Sequence, residues 1–215
     1  MPAVPQGIPS AYGRSKWLAE QEVLHHESPM QRFILRPRAV YGPGDRVLLP
    51  RICRLKKGPF LLLPGGLKVR TSLTHMKNLA LVIEQIIQEA KGKQQPSCQV
   101  LNVVDPNPYL LGDIVKTLIV GTESGYLLTL NIPLRPLGWL SDLLATLGIK
   151  TRLTRFAIDN FRKGQVLDAA ALQERFPRLV CTTFSDESEE LIGWMRGVGG
   201  IEILKQGAQD LPWRP

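Results

Sequence analysis

Short apolar stretches with the character of β-strands alternate along this chain with stretches of helical periodicity. The clearest helix carries apolar residues at positions 79, 82, 83, 86 and 87 and ends near Lys91. Residues 32–36 (RFILR) and 99–104 (QVLNVV) have the composition of buried strands. Strands that alternate with helices favour an α/β protein with parallel pairing over a β-sandwich or a helix bundle.

Apolar runs and helix breakers predict the remaining elements. Further strands are expected over residues 60–63 and 127–132, and further helices over residues 12–26, 48–57, 110–118, 137–147, 152–162 and 169–176. Ser10 should cap the first helix and Ser185 the last one, because a serine hydroxyl accepts a backbone N–H in the first turn. Ser188 does not complete a capping box with Ser185. Trp17 and Leu24, seven residues apart, should share the buried side of the first helix.

Basic residues outnumber acidic ones, which gives a formal net charge of +8 at pH 7. This charge favours contact with phosphates or acidic surfaces. The basic residues are dispersed, however, and no aromatic-basic motif accompanies them, so nucleic-acid binding is not predicted. Only Arg51, Arg54, Lys56 and Lys57 form a compact group. We expect this group to be a solvated helix end, where cations interact favourably with the helix dipole.

Cys53, Cys98 and Cys181 are odd in number and far apart, which indicates reduced thiols rather than a disulfide framework or a metal site. The first ten residues lack the basic and apolar regions of a secretory signal. No apolar stretch is long enough to span a bilayer, although residues 133–149 are apolar enough to touch a membrane surface. A cytoplasmic location is therefore predicted.

Tyr12 and Lys16 lie four residues apart in the first predicted helix, so they share one of its faces. A phenol is a poor acid at neutral pH, but a neighbouring ammonium stabilises the phenolate and makes proton exchange with an alcohol or a carbonyl feasible. The spacing alone is common, and an aromatic residue that packs beside an exposed lysine is the alternative interpretation.

Four segments resemble one family in order and approximate separation. Residues 12–20 (YGRSKWLAE) resemble the active-site helix of extended short-chain dehydrogenases/reductases, and residues 35–45 (LRPRAVYGPGD) resemble the RPxxVYGPGD segment of that family. Residues 70–79 (RTSLTHMKNL) are similar to its strand-to-helix segment in the 3-beta-hydroxysteroid dehydrogenase branch, and residues 100–105 (VLNVVD) to a closing strand. With residues 184–196, which resemble the last helix, the similarity covers nearly the whole chain.

The resemblance implies a cofactor, NAD or NADP, and a role for each matching residue. Tyr12 would donate or accept the substrate proton and also contact the cofactor, while Lys16 would assist it and bind the nicotinamide ribose. Pro37 and Arg38 would place backbone around the nicotinamide carboxamide, and Ala39 would border the substrate. Arg70 falls where nucleotide-sugar members of the family bind the substrate diphosphate. The planar, positively charged guanidinium group of arginine suits this role, because it can donate two parallel hydrogen bonds to a phosphate. A surface arginine at the start of a strand is the alternative.

Other polar and aromatic residues have simpler interpretations. His75 is expected to be a structural histidine that organises the strand-to-helix turn, rather than a catalytic base. Asn78 and Asn102 are expected to make local hydrogen bonds. Trp139 and Leu140 could line an apolar pocket or touch a membrane, but at helical spacing such residues favour a place in the core.

The fold implied by the resemblance is a partial Rossmann-like parallel sheet with a smaller C-terminal substrate-binding α/β domain. Residues 1–45 would be the remnant of the Rossmann domain, and residues 46–215 would be mainly the substrate domain, with residues 70–105 returning to the sheet. The family's GxxGxxG turn is not in this sequence, and Gly197–Gly200 (GVGG) follows a predicted helix, so it is rejected as a substitute. The family's catalytic serine or threonine should lie before the first residue.

The leading functional hypothesis is an NAD(P)-dependent oxidoreductase or epimerase that acts on a sterol-like alcohol or a nucleotide sugar. The chain is expected to be incomplete as it stands. Either another chain supplies the missing N-terminal half, or the domain is incomplete, and a split gene, a mis-assigned start or gene decay would explain this equally well. A homodimer through the helix of Tyr12 and Lys16 is a second expected partnership. The alternative function is a non-catalytic remnant that binds a partner or a ligand.

Overall fold

The computed structural model describes residues 11–90, 96–123, 125–147 and 164–206. Two parallel strands of equal length, β1 (Gln31–Pro37) and β7 (Ser97–Val103), form its first layer. In their register Gln31 lies opposite Ser97 and Pro37 lies opposite Val103. Helix α1 (Ala11–His25) precedes β1, and helix α3 (Met76–Ala90) precedes β7. The predicted α/β class with parallel pairing is confirmed.

Three smaller sheets complete the strand pairing. Strand β2 (Val40–Tyr41) pairs in parallel with β6 (Thr74–His75), and β5 (Arg70–Thr71) pairs antiparallel with β8 (Tyr109–Leu110). Strand β4 (Phe60–Pro64) lies between β3 (Lys56–Lys57) and β9 (Leu128–Ile132). The predicted strands at 32–36, 60–63, 99–104 and 127–132 are confirmed within two residues. The two-residue strands are too short for a period to appear in the sequence.

The remaining helices are α2 (Leu48–Cys53), α4 (Leu111–Thr122), α5 (Leu134–Thr146), α6 (Ala170–Arg175), α7 (Phe184–Gly197) and α8 (Gly200–Gln206). Two apolar clusters hold these elements together. One lies between α2, β4, α4, α7 and α8 and includes Leu63, Leu118 and Met195. The other lies between β1, β7, α3 and α6 and includes Val82, Leu101 and Phe176. Cys53, Cys98 and Cys181 are free thiols.

Two predictions about helix ends and faces are wrong, and one helix is missing from the predictions. Helix α7 is capped by Thr183 rather than Ser185, and Thr183 forms a capping box with Asp186. Each of the two residues satisfies a backbone N–H of the other, which a lone serine cap cannot do. Helix α1 has no buried residue, and Leu24 is exposed, so the expected buried side through Trp17 and Leu24 is not formed within the described residues. Helix α8 was not predicted.

The basic group at 51–57 is also different from the expected solvated helix end. Helix α2 ends at Cys53, and Lys56 belongs to β3 with its side chain turned inward. The Lys56 ammonium lies 3.4 Å from Glu123 and 3.6 Å from Glu202, so it joins three separate segments by ion pairs. Arg54 donates from Nε to the Lys205 carbonyl. Lys56 and Arg54 therefore stabilise the fold at this point.

Trp139 and Leu140 are exposed on α5, at 69% and 40%, so the expectation that they lie in the core is wrong. Within the parts of the chain just described, none of the helices has both the length and the apolar composition to cross a membrane. The predicted cap at Ser10, the predicted helix over 152–162 and the predicted helix end near Lys91 lie outside the described residues.

Candidate active site

Helix α1 runs antiparallel to β1, and contacts at both ends of the strand fix this arrangement. Near the start of β1, Arg32 donates to the carbonyls of Val23 and His26. Near its end, Arg36 forms a bidentate ion pair with Glu20. The first turn of α1 lies two turns before Glu20, about 12 Å farther along the helix axis. The side chains of that turn therefore lie beyond the carboxyl end of the strand, where ligands bind in open α/β sheets.

Tyr12 and Lys16 occupy this first part of α1. The Lys16 ammonium lies 5.7 Å from the centre of the Tyr12 ring, so the expected shared face is confirmed. Tyr12 is 72% exposed, which leaves its phenol accessible to a ligand. The Ser15 hydroxyl donates to the Tyr12 carbonyl at 2.8 Å and steadies the turn between them. A phenol and an ammonium thus lie together on an open surface.

The chain changes sheets between β1 and β2, and this crossover segment (Pro37–Ala39) contains three of the predicted site residues. Pro37 is the last residue of β1, opposite Val103. Ala39 has a φ of 44°, which is unusual for a residue with a side chain. Burial lowers the pKa of the half-buried Arg38 guanidinium from its ordinary value. The crossover segment thus comes directly after the carboxyl end of β1. The first turn of α1, which carries Tyr12 and Lys16, extends beyond the same end of the strand.

Arg70 is separate from these residues in the fold. It lies on β5, paired with β8, and its carbonyl accepts a hydrogen bond from the Gln165 N–H. Its side chain is exposed. The structure therefore brings Tyr12 and Lys16 together and puts Arg70 on a different two-stranded sheet.

A buried carboxylate that the sequence did not single out lies directly after β7. Asp105 is 3% exposed and accepts hydrogen bonds from the Tyr41 hydroxyl at 2.8 Å, the Tyr109 hydroxyl at 3.2 Å, the His75 N–H at 2.8 Å and the Asn78 amide at 2.7 Å. We call these five residues the Asp105 network. Burial and the neighbouring Asp105 raise the pKa of Tyr41 far above its usual value, so that phenol remains a donor. The network fixes the strands that adjoin the crossover segment.

The two asparagines connect distant segments rather than making the expected local bonds. The Asn78 side chain donates to the Thr182 carbonyl at 2.8 Å and accepts from the Thr182 N–H at 2.9 Å. The Phe184 N–H donates to the Tyr109 hydroxyl at 2.9 Å. These bonds join the Asp105 network to the start of α7. Asn102 donates to the Asp168 carbonyl.

His75 is buried at the start of α3, where its ring lies 4.9 Å from that of Tyr41. Neither ring nitrogen has a hydrogen-bond partner within the described residues. Burial lowers the pKa of His75, although Glu187, Asp105 and Glu190 oppose that shift and Lys77 adds to it. Burial therefore favours the neutral imidazole in the folded state, and the packing of His75 is that of the expected structural histidine.

The neutral His75 predicts a loss of stability in mild acid. As pH falls below about 6.5, the unfolded chain binds a proton that the folded chain does not, so the free energy of unfolding should fall by up to about 1.4 kcal/mol per pH unit. His75→Phe should remove this contribution below about pH 6.5. Urea denaturation at each pH measures it. A control, His26→Gln at an exposed site, should keep the wild-type slope, and an unchanged slope in His75→Phe would contradict the prediction.

A cavity of about 410 Å³ opens beside the carboxyl end of β7. Its lining includes Ser72, Asp105, Pro106, Leu167 and Asp168. The Ser72 hydroxyl accepts the Leu167 N–H at 3.0 Å, which fixes one wall. The cavity is large enough for part of a small-molecule ligand.

Comparison with known proteins identifies the lineage. Residues 3–123, more than half of the chain, match the 3-beta hydroxysteroid dehydrogenase/isomerase family. The chain is 27% identical over 205 residues to the uncharacterized protein YbjS of Escherichia coli, covering 92% of this chain and 60% of that protein. It is 29% identical over 117 residues to human short-chain dehydrogenase/reductase family 42E member 1, covering 49% of this chain and 28% of that protein.

Solved structures agree on the fold. The chain superposes on dTDP-glucose 4,6-dehydratase from Bacillus anthracis, solved with NAD, with a TM-score of 0.57 and 17% identity, covering 91% of this chain and 54% of that one. WbmH from Bordetella bronchiseptica, solved with NAD+, gives a TM-score of 0.55 and 14% identity, covering 92% and 55%. This chain thus spans about 60% or less of the length of each of these proteins. The family match, on residues that include α1, the crossover segment and Asp105, shows that the chain belongs to the 3-beta hydroxysteroid dehydrogenase/isomerase family.

Proposed function

We propose that this chain carries the proton-transfer half of an NAD(P)-dependent oxidoreductase or epimerase of the extended short-chain dehydrogenase/reductase type. The observation that carries the proposal is the pairing of the Tyr12 phenol with the Lys16 ammonium, 5.7 Å from ring centre to Nζ. Tyr12 exchanges a proton with the substrate oxygen, and the positive charge of Lys16 stabilises the phenolate left behind.

The residues present fit the nicotinamide end of a dinucleotide. Lys16 would hydrogen-bond the nicotinamide ribose, and the backbone of Pro37 and Arg38 would hold the carboxamide. When bound, the nicotinamide supplies or accepts a hydride. The described residues do not provide the pyrophosphate-binding turn, because Gly197–Gly200 connects α7 to α8 and follows no strand. We therefore expect residues outside the described part of this chain to make the adenosine and pyrophosphate contacts.

The surface around α1 supports the presence of a covering half. Within the described residues, β1 pairs on one side only, with β7. Helix α1 has no buried residue, and Val23 and Leu24 remain exposed on it. A nucleotide-binding half that extends the sheet past β1 would cover both features. A second copy bound through α1 is the alternative occupant, and the mass of the chain in solution separates the two.

The domain assignment is part of the same proposal. The cluster around β1, β7, α3 and α6 belongs to the nucleotide-binding sheet, to which residues 70–105 return. The cluster around α2, β4, α4, α7 and α8 belongs to the substrate domain. The family match favours a hydrophobic, sterol-like alcohol as the substrate. A nucleotide sugar is the second candidate, because the exposed Arg70 guanidinium could hold a diphosphate.

A non-catalytic remnant that binds a partner is the second candidate function, favoured by the exposed α1 surface. A cytoplasmic location and a membrane contact through α5 stay predictions. The contact is supported by the exposure of Trp139 beside Arg135, one helical turn earlier, since an aromatic and a basic side chain suit the headgroup region.

Cofactor binding tests the proposal. The purified chain is titrated with NADH and with NADPH up to millimolar concentration. One of the two should bind weakly and show enhanced nicotinamide fluorescence. The binding should be weak because the pyrophosphate contacts, which the described residues do not provide, supply much of the affinity. Lys16→Met should weaken this binding by about tenfold through loss of a charge-assisted hydrogen bond. Lys116→Met, at an exposed position on α4, is the matched control and should bind as the parent does. No binding at millimolar cofactor favours the remnant.

A further inference from the structure

The chain leaves one sheet and joins another within the two residues Arg38 and Ala39. The ladder between β1 and β7 ends with Pro37 opposite Val103, and the ladder between β2 and β6 begins with Val40 opposite Thr74. Between the two ladders Ala39 takes a φ of 44°. A left-handed conformation at a residue with a side chain persists only where its surroundings hold the backbone.

The Thr74 hydroxyl provides that hold. Thr74 is fully buried, and its Oγ1 accepts the Arg38 N–H at 2.9 Å. The same oxygen lies 2.6 Å from the Val103 carbonyl and 3.1 Å from the Arg38 carbonyl, so its single hydrogen is donated chiefly to Val103. One side chain therefore joins the first residue after β1 to the last residue of β7, at the point where their own pairing stops.

Thr74 is itself fixed on both sides by Asp105. The Asp105 N–H donates to the Leu73 carbonyl at 2.8 Å, and the His75 N–H donates to the Asp105 carboxylate at 2.8 Å. The residues before and after Thr74 are thus bonded to a single buried residue. The hydroxyl is held in place before any ligand arrives, which is the condition for a preorganised site.

We propose that Thr74 is a positioning residue whose hydroxyl holds the crossover segment in the conformation that contacts the nicotinamide end of the cofactor. This inference rests on the proposed function, which puts Pro37 and Arg38 beside the carboxamide. Thr74 touches neither substrate nor cofactor and acts only through the Arg38 backbone.

The test compares Thr74→Val, which keeps the shape of the side chain without the hydroxyl, with Thr74→Ser, which restores the hydroxyl. The matched control is Thr122→Val, because Thr122 is also buried and its hydroxyl donates to the Leu118 carbonyl inside α4. Hydrogen exchange at the Arg38 amide is measured in the full chain without cofactor. NADH affinity is measured by nicotinamide fluorescence.

Thr74→Val should speed exchange at Arg38 by at least about tenfold and weaken NADH binding by about five- to tenfold. Thr74→Ser should restore both, and Thr122→Val should change neither. Parent-like exchange or parent-like NADH affinity in Thr74→Val overturns the proposal, as does equal weakening in Thr122→Val. If the parent chain binds no NADH, the proposed function fails, and exchange alone then decides whether Thr74 holds the segment.

Discussion

Replacing Tyr12 with phenylalanine should lower kcat by at least about a hundredfold in any preparation that turns over, because general acid–base catalysis contributes roughly that much or more. The change removes the phenol hydroxyl to which we assign proton exchange with the substrate oxygen, and it keeps the ring. Tyr12 is 72% exposed, so the free energy of unfolding should stay within about 0.5 kcal/mol of the parent. Nicotinamide absorbance with a panel of hydrophobic alcohols, and then nucleotide sugars, follows the reaction.

A second tyrosine makes the comparison specific. Tyr126 is 83% exposed and lies just before β9, outside the residues assigned to the candidate site, so Tyr126→Phe should retain full turnover. NADH affinity should change much less than kcat in Tyr12→Phe, because the ring and Lys16 remain in place to contact the cofactor. A Tyr12→Phe variant with turnover near that of the parent would falsify the role assigned to Tyr12.

Asp105→Ala should lower the free energy of unfolding by about 4 kcal/mol or more. It leaves two phenols, a backbone N–H and an amide without their shared acceptor in a buried site, and each unsatisfied group costs about 1–3 kcal/mol. Urea denaturation, followed by circular dichroism, measures the loss. The Tyr41 ring should also become less well fixed, since its hydroxyl bond is to Asp105.

Asp105→Asn keeps the prediction measurable if the alanine variant does not fold. Its amide oxygen can still accept from the His75 N–H and from Asn78, while its NH₂ group faces phenols that previously donated. We expect a loss of roughly 2 kcal/mol. Asp113→Asn, at an exposed carboxylate on α4, should stay within about 0.5 kcal/mol of the parent. If Asp105→Asn and Asp113→Asn are equally stable, the Asp105 network does not contribute as argued.

The longer elements could be predicted because each has a local signal. The apolar period of α3 and the runs in β1, β4, β7 and β9 identify them without knowledge of their partners. Strands such as β3 could not be predicted, because two lysines carry no strand pattern, and Lys56 turns inward only because Glu123 and Glu202 come from distant segments. The cap of α7 was assigned to the wrong residue, because the cap is Thr183, two residues before the expected serine, and it works as a pair with Asp186.

The part of the candidate site that lies on one helix could be predicted from the sequence. The part that depends on contacts between distant segments could not. Tyr12 and Lys16 meet because four residues make about one helical turn, a property of the sequence itself. Asp105 precedes a proline, and that pattern is typical of a turn, so its role as an acceptor for four donors was not visible. Thr74 was not recognised either, because its partners Arg38 and Val103 are 36 and 29 residues away.

The hydrogen bonds from Asn78 to Thr182 and from Phe184 to Tyr109 have a consequence for how the protein is made. A ribosome delivers Tyr12, Arg38 and Thr74 long before it delivers Thr182 and Phe184. The polar groups around Tyr41 and Tyr109 cannot all be satisfied until those late residues emerge. Tyr12, Arg38 and Thr74 are therefore translated well before the residues that complete the buried hydrogen bonds around Tyr41 and Tyr109.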